Sequence, residues 1–316
     1  MTDPHNNIFR ELFADVPLVD RFETNPQDAV DVIIPVIHSN DLFYNNLLSF
    51  YREIPVNRLL LGDGGVLDNT LEVARQFPRV EVLDHTKIHS QGYSIRLLIE
   101  AVQTEWFIYL HADVFLPPGW FEAMLHHRSE YDWFECPQRI TAMIEYPLES
   151  PFPRSYSGSQ MGRKAAFADV LPQIDDDYLF RNEDIIFSTL IRNAGQRWGQ
   201  VDNTFHYHQV MNRRSKRERT FKKVNFEIEK TPQEDVFEFT NQVRGIIKYL
   251  QPEDYLIYGV QVGIDRLRQL EALDWEEFIT WVSQTNPAWL PHLHKKPPFK
   301  QRLRNLLRRW AMKWLG

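Results

Sequence analysis

One cysteine, Cys136, stands in the 316 residues. That excludes an internal disulfide framework and a cysteine-based zinc site, and a small core residue is the expected role of the thiol. No stretch is apolar for long enough to cross a bilayer. The polar start, Met1 to Arg10, lacks the apolar core of a signal peptide, so a cytoplasmic protein is the expectation. Glycine is sparse, 13 in all, and it forms neither Gly-x-Gly-x-x-Gly nor a Gly-Lys-Ser/Thr phosphate loop. Excess positive charge is missing as well. A net charge of -7 argues against a general affinity for nucleic acid.

What is present is an ordinary globular composition, 43% hydrophobic and 25% charged, in a chain long enough for a full core and an appendage. After a polar lead-in (1–29), Asp31-Val-Ile-Ile-Pro35-Val-Ile is a β-branched run of buried-strand type. A helical pattern follows over 41–52. Two further strands are expected at 58–61 and 80–83, with a helix between them over 68–77 and another over 92–104. Strands alternating with helices at this spacing predict βαβ units in a parallel, Rossmann-like sheet with right-handed crossovers.

The next apolar run, Glu105 to Trp120, ends in His111-Ala112-Asp113 and is bounded by Pro117, Pro118 and Gly119. Read as one buried strand, it places His111 and Asp113 on the same side, where open α/β sheets bind ligands. Asp with His is a workable start to a divalent-metal site. Asp63, on a glycine turn after the second strand, offers an acceptor for a ribose hydroxyl or a base amide, or simply makes the turn.

Further on, 131–146 is apolar and Pro147 to Gln160 reads as a Pro/Ser/Gly loop, a candidate wall or lid. Glu183 and Asp184 open a well-formed helix that stops at Gly195. A strand then ends in Phe205-His206-Tyr207-His208, whose two histidines point the same way. Arg213 to Lys223 is strongly basic. Helical periodicity dominates from Thr231 to about Leu290. In the tail (297–316), Leu303, Leu306, Leu307, Trp310 and Trp314 share one helical face and every charge is positive. This is the pattern of an interfacial anchor on an anionic membrane surface, expected at the inner face of the cell membrane, or of a terminal helix that docks on its own domain or a twin subunit.

In this order the features resemble family 2 of the glycosyltransferases, which have the GT-A fold. Val32 to Val36 is similar to the family's opening strand. Gly62-Asp63-Gly64-Gly65 with Asp68-Asn69-Thr70 resembles its Asp-Asp-Gly-Ser-x-Asp-x-Thr segment, with Gly62 in place of the first acid. Gly92, Ser94 and Arg96 stand at its Gly-x-x-x-Arg stretch. His111-Ala112-Asp113 occupies its Asp-x-Asp metal motif, Glu183-Asp184 its acidic pair, and His208 its late histidine.

The resemblance implies a GT-A domain over 30–225, with a nucleotide-sugar half (30–116) and an acceptor half (117–225). A helical extension (226–296) and the basic tail follow. It implies donor contacts from Pro35, Ile37, Asp63, Arg96, His111, Ala112 and Asp113. It implies Mn²⁺ or Mg²⁺ held by Asp113, His208 and His111, and an inverting reaction with Asp184 as base beside Glu183. The partners would be a nucleotide-sugar and a glycan or lipid-linked acceptor. The segment 213–223 would be a lid over the diphosphate. Gln196-Arg197-Trp198 is contiguous where processive synthases space the motif, so a non-processive enzyme is expected. A catalytically dead binding module is the rival suggested by His111. A sugar-1-phosphate nucleotidyltransferase would need a glycine-rich loop after the first strand, which 35–40 lacks.

Overall fold

The computed structural model describes residues 17–37, 39, 42–66, 68–142, 155–176, 183–210, 243–253, 264 and 275–294. By the density of backbone contacts the chain divides into two units, 1–179 with 190–228, and 180–189 with 229–316.

The first unit is built on a nine-stranded sheet, in the order β3-β2-β1-β4-β7-β6-β9-β5 with β8 against β6. The strands are β1 (Val30–Val36), β2 (Val56–Asp63), β3 (Val80–Asp84), β4 (Trp106–Leu110), β5 (Val114–Phe115), β6 (Trp133–Ala142), β7 (Ser155–Arg163), β8 (Trp198–Gln200) and β9 (His206–Val210). β1 lies parallel between β2 and β4, and β3 is parallel to β2. Beyond β4 the pairing is mixed: β7 is antiparallel to β4 and β6, while β8 and β9 run parallel to β6. The sheet is therefore mostly parallel, in an α/β fold. Its helices are α1 (Phe43–Glu53), α2 (Thr70–Ala74), α3 (Gln91–Ala101) and α4 (Trp120–Leu125), while α5 (Glu183–Asn193) has its first seven residues in the second unit.

The parallel strands are near-continuous apolar runs because both faces are covered. Val32, Ile34, Leu59, Leu61, Ile108 and Leu110 join α1 in one core. Ile33, Leu60, Phe107 and Tyr109 alternate with them and are equally buried. At the amino end of β1 the buried Asp31 is saturated, accepting from Arg58 Nη2 at 2.6 Å, Asn57 Nδ2 at 2.8 Å and Gln103 N at 2.7 Å. Arg197 plays a similar part at β6. Its guanidinium meets both oxygens of Asp132 at 3.0 Å, which ties β8 to the start of β6.

Three expectations need correction. The run 105–116 is not one strand: β4 stops at Leu110 and β5 starts at Val114, so His111-Ala112-Asp113 forms the turn between them. His208 lies inside β9 rather than at a strand end. The segment 155–160 is not loop but the first part of β7. Ser155 to Arg163 lacks the apolar alternation of a strand because its neighbours demand small residues. A Cβ on Gly162 would lie 2.6 Å from the Trp133 ring. Residues 147–154, the basic segment 213–223 and the tail 297–316 lie outside the described residues.

The second unit is a small helical core. Val243, Ile246, Ile247 and Leu250 pack with Phe278 and Val282 of α6 (Trp275–Thr285), Trp289, and Leu293 of α7 (Leu290–His294), and Ile185 of α5 lies against them. Trp289 Nε1 donates to the Leu250 carbonyl at 2.9 Å, so its polar end is satisfied while the ring is buried. No described helix is long and apolar enough to cross a membrane.

Candidate metal centre

The chain runs β1, β2, β3 in one direction and then returns to place β4 on the other side of β1. Strand order therefore reverses between β1 and β4, and the carboxyl ends at such a switch point form a crevice open to ligands. β1 ends at Val36 on one side of it, and His111 to Asp113 follow the end of β4 on the other.

Here three side chains converge. One ligand atom from each of His111, Asp113 and His208 lies within 4.8 Å of the others. His208 comes from β9, paired with Val114 across the antiparallel β5–β9 ladder, and its Nε2 sits 3.1 Å from Asp113 Oδ2. Its Nδ1 faces Gln138 Oε1 on the neighbouring β6. Donation of Nδ1–H to that carbonyl oxygen would leave Nε2 as a ligand for a bound ion, the arrangement found around metal-binding histidines; without an ion, Nε2 is placed to donate to Asp113. His111 Nε2 is 2.9 Å from the Tyr109 hydroxyl. Burial disfavours the ionised form of Asp113. The imidazole of His208, which also hydrogen-bonds it, and that of His111 outweigh burial and hold the pKa at about 2. One carboxylate and two imidazoles within reach of a common point suit a divalent ion.

The turn owes its shape to its surroundings. His111 N donates to Gly158 O at 2.9 Å. Gly158 has a φ of +90°, and a Cβ there would lie 3.3 Å from His111 Nδ1, so β7 passes close beneath the ring only because this residue is glycine. His206, two residues before His208, is fully buried and bonded through Nδ1 to Ser159 Oγ at 2.7 Å. Burial, reinforced by His208 and His111, pushes its pKa well below the ordinary value, so it is neutral at pH 7. Cys136 lies against the same group and burial pushes its thiol up to about 11. It is a core residue and not a nucleophile.

The other residues singled out from sequence lie as follows. Asp63 ends β2, in register with Val36 on one side and Asp84 on the other. Its Oδ1 accepts from Gly65 N at 2.9 Å and Val66 N at 2.8 Å. Gly62, in the place of the family's first acid, is packed against the buried pair His85 and Ser94: a Cβ would lie 2.6 Å from His85 Nδ1. Arg96 on α3 pairs with Glu100 at 2.8 Å and donates through Nη1 to Ile174 O at 2.7 Å. Ile37 is exposed. Glu183 and Asp184 open α5 within the second unit; Glu183 is buried, and the half-buried Asp184 accepts from Ile185 N at 2.8 Å. The sequence reading missed Gln138, Tyr109 and Gly158. Gln138 carries a weak signal, a polar residue inside an apolar strand. Tyr109 and Gly158 carry none.

Comparison with known proteins agrees with this architecture. Residues 31–185 match the model of Glycosyl transferase family 2. Among solved structures, GalNAc-T7 with UDP, GalNAc and Mn²⁺ aligns with a TM-score of 0.53 at 11% identity, over 86% of this chain and 55% of that one. Staphylococcus aureus TarS 1-349 with UDP-GlcNAc gives 0.48 at 14%, over 80% and 78%. The bifunctional IspDF of Campylobacter jejuni gives 0.38 at 12%, over 56% of this chain and half (50%) of that one. Of these three, the likeness to GalNAc-T7 alone passes one half, and at that identity it shows a shared fold. No curated protein sequence matches.

Proposed function

We propose, on the premise that residues 31–185 belong to glycosyl transferase family 2, that the protein moves a hexosyl unit from a nucleotide-sugar to a hydroxyl. The acceptor is read as a glycan or lipid-linked precursor, glycosylated once per encounter with inversion at the anomeric carbon. The observation that carries this reading is the convergence of His111, Asp113 and His208 at the switch point of the parallel strands. His111, Asp113 and His208 would hold a divalent ion, which would supply Lewis-acid neutralisation of the departing diphosphate. The two imidazoles favour Mn²⁺ over Mg²⁺, which prefers an all-oxygen shell. GalNAc-T7, a protein of the same fold, was crystallised with UDP, GalNAc and Mn²⁺, a ligand set of this kind.

Each residue then has a task. Asp113 contributes a full negative charge at neutral pH. Gln138 keeps the His208 proton on Nδ1 and so presents Nε2 as a ligand. Asp63 uses Oδ1 to close its own turn, which leaves Oδ2 for a ribose hydroxyl or a base amide. Pro35 and the exposed Ile37 offer an apolar face to the base, and Ala112 gives the donor close access to the backbone. Arg96 would reach the donor with Nη2, the nitrogen outside its bonds to Glu100 and Ile174. Asp184 takes the proton of the acceptor hydroxyl as its oxygen attacks, and the sugar–phosphate bond breaks on the opposite face. Glu183, buried beside it, is the supporting acid. The segment 213–223 is proposed to close over the diphosphate, and 297–316 to hold the enzyme on an anionic membrane. Truncation after Leu293 should then abolish co-sedimentation with anionic liposomes.

The test is a panel of nucleotide-sugars incubated with the protein and Mn²⁺, with nucleoside diphosphate release measured. One donor should be consumed, and only with metal. A donor that binds in a metal-dependent way but is never consumed would favour a binding module, the reading suggested by His111 in an acid's place.

A further inference from the structure

Helix α1 packs its apolar residues into the main core, yet three polar residues on it are buried as deeply: Asn46 and Ser49 at 0% exposure and Glu53 at 3%. All three bond to the backbone of one segment. Asn46 Nδ2 donates to Ala112 O at 2.8 Å, Ser49 Oγ accepts from Leu116 N at 3.1 Å, and Glu53 Oε2 accepts from Gly119 N at 2.7 Å and Trp120 N at 3.2 Å. Their spacing of three and four residues sets them on one side of the helix. The helix thus lies along 112–120 as a splint.

Asn46 differs from the other two in where it acts. The Ala112 carbonyl belongs to the same planar peptide unit as the Asp113 nitrogen, so fixing that oxygen fixes the plane from which the Asp113 side chain departs. On the other flank of the turn, Gly158 O holds His111 N. The two bonds leave little rotational freedom in the residues that aim His111 and Asp113. Asn46 also keeps its Oδ1 buried without a hydrogen-bond partner among the described residues. A buried amide whose acceptor goes unused is unfavourable, and its donor is what the site retains.

We propose that Asn46 is the positioning residue of the metal centre. It sets the Ala112–Asp113 peptide so that the Asp113 carboxylate meets the His208 imidazole at ligand distance, and it touches neither metal nor donor itself. The inference rests on the metal-centre reading above. Titration of the protein with Mn²⁺ alone by calorimetry, paired with thermal melting, tests it. Asn46→Leu, which keeps the branched shape in a bulkier side chain and removes the donor, should weaken Mn²⁺ binding about tenfold or more, within the range for partners of metal ligands. Ser49→Ala, which loosens the same helix from residue 116, should melt lower and bind Mn²⁺ as the wild type does. If Asn46→Leu fails to fold, Asn46→Ala is read in the same way. Wild-type affinity in the folded Asn46 variant, or an equal loss in Ser49→Ala, overturns the positioning role and leaves the metal centre standing. A wild type that takes up no Mn²⁺ overturns both.

Discussion

Two turns leave the carboxyl ends of the parallel strands, one after β2 and one after β4, and both carry an aspartate. In the first, Asp63 spends Oδ1 on the amides of Gly65 and Val66, and the neighbouring Gly62 is packed against His85 and Ser94. The turn is held by its own side chain. In the second, the backbone is held from outside, by Gly158 O and Asn46 Nδ2, and Asp113 turns to His208 and His111. An acid that makes its own turn is doing structural work with at least one oxygen. An acid whose turn is made by others is available for a ligand. The buried Asp31 at the opposite end of β1, saturated by donors from three residues, belongs with the first kind.

This contrast can be tested by substitution. Asp113→Asn keeps the size of the side chain and removes its charge, so transfer should fall on the order of a thousandfold, as loss of a preorganised charge does. Asp184→Asn should reduce kcat by about 10²–10⁴, the usual contribution of a general base, while Mn²⁺ affinity stays at the wild-type value. Gln138→Leu removes the acceptor that fixes His208, and half-saturation by Mn²⁺ should rise about 10–100-fold. A Gln138 variant with unchanged metal dependence would show that the His208 tautomer is set elsewhere. Asp63→Ala should do the reverse of Asp113→Asn, lowering stability by about 1 kcal/mol through the lost turn bonds and leaving Mn²⁺ affinity alone.

A pH-dependent effect belongs to the structural acids. The hydrogen bonds from Arg197 to Asp132 hold its carboxyl below the usual range. Its contribution to stability is therefore fully present above the ordinary carboxylate pKa and is lost as pH falls through the lowered folded value. Denaturant melts should show Asp132→Asn less stable than wild type at pH 7, with the two converging in acid. A gap that persists undiminished there would mean that Arg197 is not the partner responsible.

Much of the parallel half was legible because its signals are local. β-branched runs, helical stripes and turn glycines placed β1 to β4 and α1 to α3, and Asp113 stood out at the end of an apolar run. The rest depended on contacts distant in sequence. β7 reads as a serine–glycine loop because Trp133 and His111, brought against it by the fold, require Gly162 and Gly158. The meeting of His208 with Asp113 across β5 and β9 was foreseeable only through resemblance to a family. The polar face of α1 hid among apolar residues, since Asn46, Ser49 and Glu53 look like a solvated side until the segment they bind is in place. The general rule is that a strand-end acid can be seen in sequence, whereas what holds its turn cannot.

The central claim is that Asp113, His208 and His111 form a metal-linked donor site. Calorimetric titration of nucleotide-sugars into the protein, with and without Mn²⁺, measures that linkage directly. The account predicts that at least one nucleotide-sugar binds at least tenfold tighter with Mn²⁺ present and that Asp113→Asn abolishes the difference. Identical binding with and without the metal, or no binding at all, would contradict it.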